Sequence, residues 1–172
     1  MEEKVILVNE KDKEIGREEK LKAHKLGLLH RCFSILVFNS KGELLLQKRA
    51  VGKYHSGGLW SNTCCGHPRP GEDVIAAAER RLKEEMGFEC ELKEVMSFSY
   101  KTELDHGLIE NEFDHVLIGK YDKDPVLNPE EAEDWRFVSL EKLEKVIEEN
   151  PARFTVWLKI ILLKLKEAGI EI

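Results

Sequence analysis

No apolar stretch of this 172-residue chain reaches membrane-spanning length. The longest candidate, "VWLKIILLKLKEAG", is broken by lysines at helical spacing, so no membrane segment is expected. Cysteine is scarce. Cys32, Cys64, Cys65 and Cys90 form no disulfide framework, and the adjacent pair could bridge only with strain. The N-terminal "MEEKVILVNE" is acidic and lacks the basic start and cleavage site of a signal peptide. Both observations lead us to expect a reducing, cytoplasmic setting. Positive charge is in deficit too: the formal net charge of -6 argues against non-specific nucleic-acid binding, because phosphates would repel it. A local basic pocket for a small anion stays open. No Gly-x-Gly-x-x-Gly opens a helix, so neither a flavin nor a nicotinamide site is expected. Internal repeats and low-complexity tracts are missing.

What is present reads as a folded enzyme-sized unit. With 42% hydrophobic and 35% charged residues, the chain is expected to form one globular domain over residues 1–172. "EKVILVNEKDKEIGR" predicts a short strand and a polar turn. "CFSILVFNSKGELLLQKR" predicts a hairpin about Asn39-Ser40-Lys41-Gly42. Val74, Ala77, Ala78 and Leu82 recur at helical spacing over Asp73 to Met86, with Gly87 as the stop. Strands are expected near "CELKEVMSFSYKT" and "FDHVLIGKY", and a loop at Asp124-Pro125 and Asn128-Pro129. A helix is expected over "VSLEKLEKVIEENP". Asn150-Pro151 then predicts the start of a last helix carrying Phe154, Trp157, Ile160 and Ile161. The fold class is α/β (α+β), a mixed sheet covered by helices on both faces.

The chemistry gathers around one helix. Five residues separate Gly66 from Glu72, seven more lead to Arg80, and Arg81, Leu82, Glu84, Glu85, Gly87 and Phe88 follow. Arg81 and Glu85, at i and i+4, share a face. On spacing alone a solvated helix face would explain these charges. The pattern resembles the Nudix signature, Gly-x5-Glu-x7-Arg-Glu-(apolar)-x-Glu-Glu-x-Gly-(apolar), a loop-helix-loop that handles diphosphates through divalent ions. One position departs: Arg81 stands where Nudix hydrolases have Glu. A guanidinium for a carboxylate changes the local charge by two units, weakening a metal cluster and adding a bidentate anion donor. The helix is expected to hold a diphosphate better than it hydrolyses one.

Outside that helix, His24 and His30 lie six apart, His67 follows the cysteine pair, and Glu110 and Glu112 are two apart. Residues i and i+2 on a strand project to one side. Three imidazoles and two carboxylates suit Mn²⁺ or Zn²⁺ better than an all-oxygen Mg²⁺ site. Any one of these histidines alone reads as a surface residue, and His55, His106 and His115 are expected to be such.

Together these stretches resemble the type I isopentenyl-diphosphate isomerases of the Nudix superfamily. The likeness runs from "EKLKAHK" through "LLHRCFSILVFNSKGELLLQKRA", "GGLWSNTCCGHPRPGE" and "ERRLKEEMG" to "FSYKTELDHGLIENE" and "FTVWLKI". It implies a Nudix-type sandwich and a 1,3-allylic proton shift between isopentenyl and dimethylallyl diphosphate, with a small allylic or homoallylic diphosphate as the partner. By position, Cys65 and Glu112 match the family's catalytic pair, and Tyr100 the tyrosine that assists Glu112. His24, His30, His67, Glu110 and Glu112 match the ligands of one Mn²⁺, Mg²⁺ or Zn²⁺ ion. Glu85 matches the residue sharing a Mg²⁺ with the diphosphate. Lys20, Arg49, Lys53 and Arg81 match head-group residues, and Trp157 the ring over the hydrocarbon tail. Cys64 is expected to be an inward-facing small hydrophobe. A metal thiolate is the rival role for Cys65, and simple packing the rival for Trp157. Trp60 is either a pocket wall or packing. The state is expected to be monomer or homodimer. A Nudix hydrolase and a non-catalytic metal-binding regulator remain as alternative functions.

Overall fold

The computed structural model describes residues 3–170. Along the chain run β1 (Lys4–Val8), β2 (Glu14–Glu19), α1 (Lys20–Leu26), β3 (His30–Phe38), β4 (Glu43–Arg49), β5 (Trp60–Ser61) and β6 (Cys64–Gly66). Then come α2 (Val74–Met86), β7 (Leu92–Glu103), β8 (Ile109–Lys120), β9 (Ala132–Ser139), α3 (Leu140–Glu149) and α4 (Val156–Glu167). The strands make one mixed sheet.

β3 is the organising strand. It is buried on both sides along nearly its whole length, and from Ile35 to Phe38 it is wholly apolar, as a strand covered on two faces should be. Its period-2 alternation sends Phe33, Ile35 and Val37 to a core shared with Ala77, Ala78 and Leu82 of α2. Leu36 and Phe38 go to the opposite core, shared with Leu143 of α3 and Leu158 and Ile161 of α4. Helices therefore cover both faces, as expected.

The hairpin at Asn39–Gly42 forms, but β3 and β4 pair only at Phe38↔Leu44. Beyond that point β3 lies antiparallel to β6 and parallel to β8, while β4 lies between β9 and β5. The parallel pair matters most, because its register sets His30 directly against Glu112.

α2 begins where Asp73 accepts from the Ile75 and Ala76 amides and ends at Gly87 in the left-handed region. At Gly87, φ is 73° and a Cβ would sit 2.3 Å from the Val126 carbonyl oxygen. Two expectations need correction. The last helix starts at Val156, after Thr155, and not at Asn150. Asn150-Pro151 opens a single 3-10 turn instead, and Phe154 lies outside the helix in a bridge to Trp60. Strand β9 and the short helix α1 are not among the expected elements.

Candidate active site

His24 and His30 reach one point from two elements. α1 stops at Gly27, whose φ of 61° turns the chain sharply into β3. His24 Nδ1 donates to the Lys20 carbonyl at 2.8 Å, and His30 Nδ1 to the Leu28 carbonyl at 2.7 Å. Those bonds fix the tautomers and leave both Nε2 lone pairs facing inward. His67, just after β6, brings its Nε2 to 3.2 Å from that of His30 and 3.0 Å from Glu112 Oε1. One donor atom from each of His24, His30, His67 and Glu112 lies within 4.8 Å of the others, and all four residues are buried. His24 Nε2 has no hydrogen-bond partner. Converging lone pairs with too few hydrogens between them are what a divalent cation complements, so the residues present fit a metal ion. Burial holds the His67 imidazole neutral, down to about 3, against the pull of Glu112.

Glu110 shares the face of Glu112, as the i, i+2 spacing predicts, yet it does not join the four-residue group. Its Oε2 lies 3.0 Å from Tyr100 Oη, which in turn lies 2.5 Å from Glu112 Oε2. A phenol has one hydrogen, and the shorter contact takes it to Glu112. Burial and the neighbouring Glu112 charge push Glu110 well above the usual carboxylate range. Burial would raise Glu112 as well, but the His30 and His67 contacts hold it well below. The pair therefore has a neutral Glu110, a bridging hydroxyl and an ionised Glu112.

Two small residues of β3 connect this carboxylate with Cys65. Cys32 Sγ donates to Glu112 Oε2 at 3.2 Å. Two residues on, Ser34 Oγ lies 3.6 Å from Cys65 Sγ and donates to the buried Asp114 at 2.8 Å. Burial and then the Glu112 charge raise Asp114 to about 7. Burial likewise pushes the Cys65 thiol up, so it rests protonated. Cys64, fully buried in the α2-side core, is the inward-facing hydrophobe expected. All four cysteines are free.

Above this floor opens a cleft, and its lining includes Cys65, Glu112, Tyr100 and Trp157 with the cations Lys20, Arg49, Lys53 and Arg81. Three of those cations carry carboxylates. Lys20 pairs with Glu3 at 3.1 Å, and Lys53 with Glu131. Arg81 pairs with Glu84 at 2.6 Å, Glu85 at 2.5 Å and Glu131 at 2.9 Å. Burial would raise Glu131, but its bonds to Lys53 and Arg81 take it down to about 2. Among the described residues Arg49 is the member of the four with no carboxylate within 4.0 Å. It lies over the Trp157 ring, 5.1 Å from its centroid.

Several residues depart from the sequence reading. His55 is no surface histidine: it is buried in the cleft wall, 5.6 Å from the Trp157 ring and 6.0 Å from His24. Burial, with Arg49 nearby, takes it down to about 3. His115 is buried between Asp12 at 3.1 Å and Glu94 at 2.9 Å, on the strand face opposite Glu112. His106 is exposed, as expected. Trp60 lies in the α4-side core with Arg136 stacked 3.9 Å from its ring centroid, so it is packing and no wall of this cleft. Sequence reading missed Cys32, Ser34, Asn62, Asp114 and Glu131. The period of β3 and β8 could have found the first two and Asp114, since Cys32 and Ser34 lie two and four residues from His30 and Asp114 lies two from Glu112.

A NUDIX domain matches residues 28–158. Isopentenyl-diphosphate Delta-isomerase 2 of Aromatoleum aromaticum is 55% identical over 94% of this chain and 86% of its own length. The protein of that name from Photorhabdus laumondii is 53% identical over 99% of this chain and 97% of its own. Among solved structures, DR0079 from Deinococcus radiodurans superposes with a TM-score of 0.77 at 20% identity, covering 92% of this chain and 97% of that one. The MutT protein from Methanosarcina mazei gives 0.67 at 20% identity, over 83% and 96%. These two likenesses are of fold alone. By its domain match and by identity along nearly its whole length, the chain belongs to the isopentenyl-diphosphate Delta-isomerases of the NUDIX family.

Proposed function

We propose that this protein interconverts isopentenyl and dimethylallyl diphosphate, with Cys65 and Glu112 as the two acid-base groups. One observation carries the reading. Cys32 and Ser34, two residues apart on one face of β3, touch Glu112 and Cys65 respectively. Their anchor points are thus about 7 Å apart, two residues of strand rise. A three-carbon allylic unit fits between groups so spaced. The reaction adds a proton at one end of that unit and removes one from the other, and two such groups are what it needs. The Cys65 thiol holds a proton; the Glu112 carboxylate is ionised and takes one. Tyr100 Oη, between Glu112 and the neutral Glu110, is placed to return it. General acid-base groups of this kind are each worth roughly 10²–10⁴ in rate.

His24, His30, His67 and Glu112 would hold one divalent ion, with Glu110 beside it, and that ion's charge would fix the Glu112 carboxylate and the neutral imidazoles. The donor set suits Mn²⁺ or Zn²⁺, and Mg²⁺ less well. Arg49, Lys20, Lys53 and Arg81 would bind the diphosphate, Glu85 would help hold a Mg²⁺ that arrives with it, and the Trp157 ring would cover the tail. A π-face beside a tertiary cation is worth about 0.5–2 kcal/mol. The enzyme works on a small diphosphate, in the cytoplasm, as monomer or homodimer.

Hydrolysis is disfavoured by Arg81, which neutralises the carboxylates a hydrolase would give to metal ions. Incubation with isopentenyl diphosphate and Mg²⁺, followed for both dimethylallyl diphosphate and free phosphate, separates the readings. Dimethylallyl diphosphate without phosphate is expected. Phosphate release would establish a hydrolase, and no turnover would leave a metal-binding regulator.

A further inference from the structure

Between Trp157 and Cys65 runs a buried hydrogen-bond chain whose direction is forced by chemistry. An indole nitrogen only donates, so Ser61 Oγ accepts from Trp157 Nε1 at 2.9 Å. Thr155 Oγ1 donates to the same oxygen at 3.2 Å. With two donors on it, Ser61 Oγ sends its own hydrogen to Asn62 Oδ1, 3.0 Å away. The Asn62 amide has one orientation. Its nitrogen faces the carbonyl oxygens of Ile35 at 3.1 Å and Cys64 at 3.0 Å, which only accept. Its oxygen accordingly turns to Cys65, whose thiol donates to it at 3.2 Å. Nδ2 also lies 3.1 Å from that sulfur, but its two hydrogens are directed at the carbonyls. Ser61, Asn62, Thr155 and Trp157 are all buried, so water does not compete for these bonds.

We infer that Ser61 and Asn62 are positioning residues, which lock the Cys65 thiol hydrogen to the Trp157 ring so that proton donor and hydrocarbon wall keep one geometry. What the thiol does with its hydrogen rests on the isomerase reading; the coupling does not. A free thiol rotates among three staggered positions, and a misplacement of about 1 Å can cost on the order of a hundredfold in rate. The chain selects one rotor position and references it to the surface the tail lies on. A backbone bond from the Thr155 amide to the Trp60 carbonyl, at 2.9 Å, separately fastens the start of α4 to β5. Cutting the side-chain link therefore leaves the helix docked.

The test is a double-mutant cycle of Ser61→Ala and Trp157→Phe, read in two ways. In steady-state turnover of isopentenyl diphosphate, each single variant is expected to lose about tenfold in kcat, the effect of one hydrogen bond near the reacting group. For Ser61→Ala, KM stays within about twofold, because the head group touches neither residue of the link. The double variant is expected to lose no more than about tenfold as well, since both changes cut one chain. Independently of turnover, the rate of Cys65 alkylation by iodoacetamide, followed by mass spectrometry, is expected to rise about threefold in each single and in the double variant. Losses that multiply to about a hundredfold, or alkylation gains that multiply, would overturn the coupling. So would a Ser61→Ala protein altered only in melting temperature. If wild-type protein turned over no isopentenyl diphosphate while the alkylation cycle stayed non-additive, the isomerase reading would fall and the coupling would stand.

Discussion

Arg81→Glu restores the hydrolase pattern of the helix, and the structure shows what that would do. Arg81 and Lys53 supply two positive charges against the three negative charges of Glu84, Glu85 and Glu131, a local sum of -1. The substitution leaves Lys53 facing four carboxylates, a sum of -3. At an effective dielectric of 20, two like charges about 6 Å apart repel by about 2.8 kcal/mol. Glu84 is 38% exposed and contributes less than that, whereas Glu85 at 7% receives little screening. Losing a charge-assisted contact to the substrate diphosphate adds about 1.5–3 kcal/mol. Even the lower figure is a tenfold change, at about 1.4 kcal/mol per decade. KM for isopentenyl diphosphate should therefore rise more than tenfold in Arg81→Glu. In Arg81→Gln, which loses the contact without adding repulsion, it should rise by less. Initial rates over a substrate range, with circular dichroism to verify the fold, give both numbers. Free phosphate measured in the same reactions should stay at background, because the carboxylates nearest Arg81 are arranged around a cation and not around a water. An unchanged KM in Arg81→Glu would refute the placement of Arg81 at the head group, and efficient phosphate release would refute the account of its metal chemistry.

Three further outcomes follow from particular residues. Cys65→Ser should fold, retain metal and lose on the order of 10²-fold or more in turnover, while Cys64→Ser should keep its activity and lose about 1–3 kcal/mol in a urea melt for a buried, unpaired hydroxyl; the reverse pattern would put the acid on the wrong cysteine. Gly87→Ala forces a Cβ to within 2.3 Å of the Val126 carbonyl oxygen at a positive φ, and should cost at least about 2 kcal/mol, lowering the melting temperature by roughly 4–8 °C; a shift below about 2 °C would contradict the geometry. In metal-free protein His55 and His67 stay neutral to about 3, so each destabilises the fold as pH falls below about 6.5, where the unfolded imidazole takes its proton. Asp114, raised to about 7, acts with the opposite sign over pH 7 to about 4 and offsets one histidine. Asp114→Asn should therefore steepen the loss of stability between about pH 6.5 and 4 by about 1.4 kcal/mol per unit. Equal slopes for wild type and variant in urea melts would refute that offset.

Local signals were legible wherever one stretch of chain decides its own conformation. Asp73 and Gly87 bound α2 because capping and the left-handed turn act within a few residues. The i, i+2 spacing of Glu110 and Glu112 fixed their shared face for the same reason. His55 was misread because its burial comes from Trp157, His24 and Arg49, which approach from distant segments. His115 was misread because its two carboxylates lie 103 and 21 residues away. No local pattern marks out Glu131, and only the fold sets it between Lys53 and Arg81. The start of α4 was misplaced because Asn150-Pro151 carries a valid helix-start signal, which the bridge between Trp60 and Phe154 overrides.

The pairing of β3 with β8 has a consequence in time. His30 faces Glu112 across a parallel register, 82 positions away in sequence, and a parallel neighbour cannot be reached by a tight turn. The entropy of closing that long loop must be met before the two strands reward it. On a ribosome, the histidines of α1 and β3 emerge well before the glutamate that completes their group. A nascent chain can thus display the imidazoles without the carboxylate, and the group that fits an ion is complete only once β8 has paired with β3.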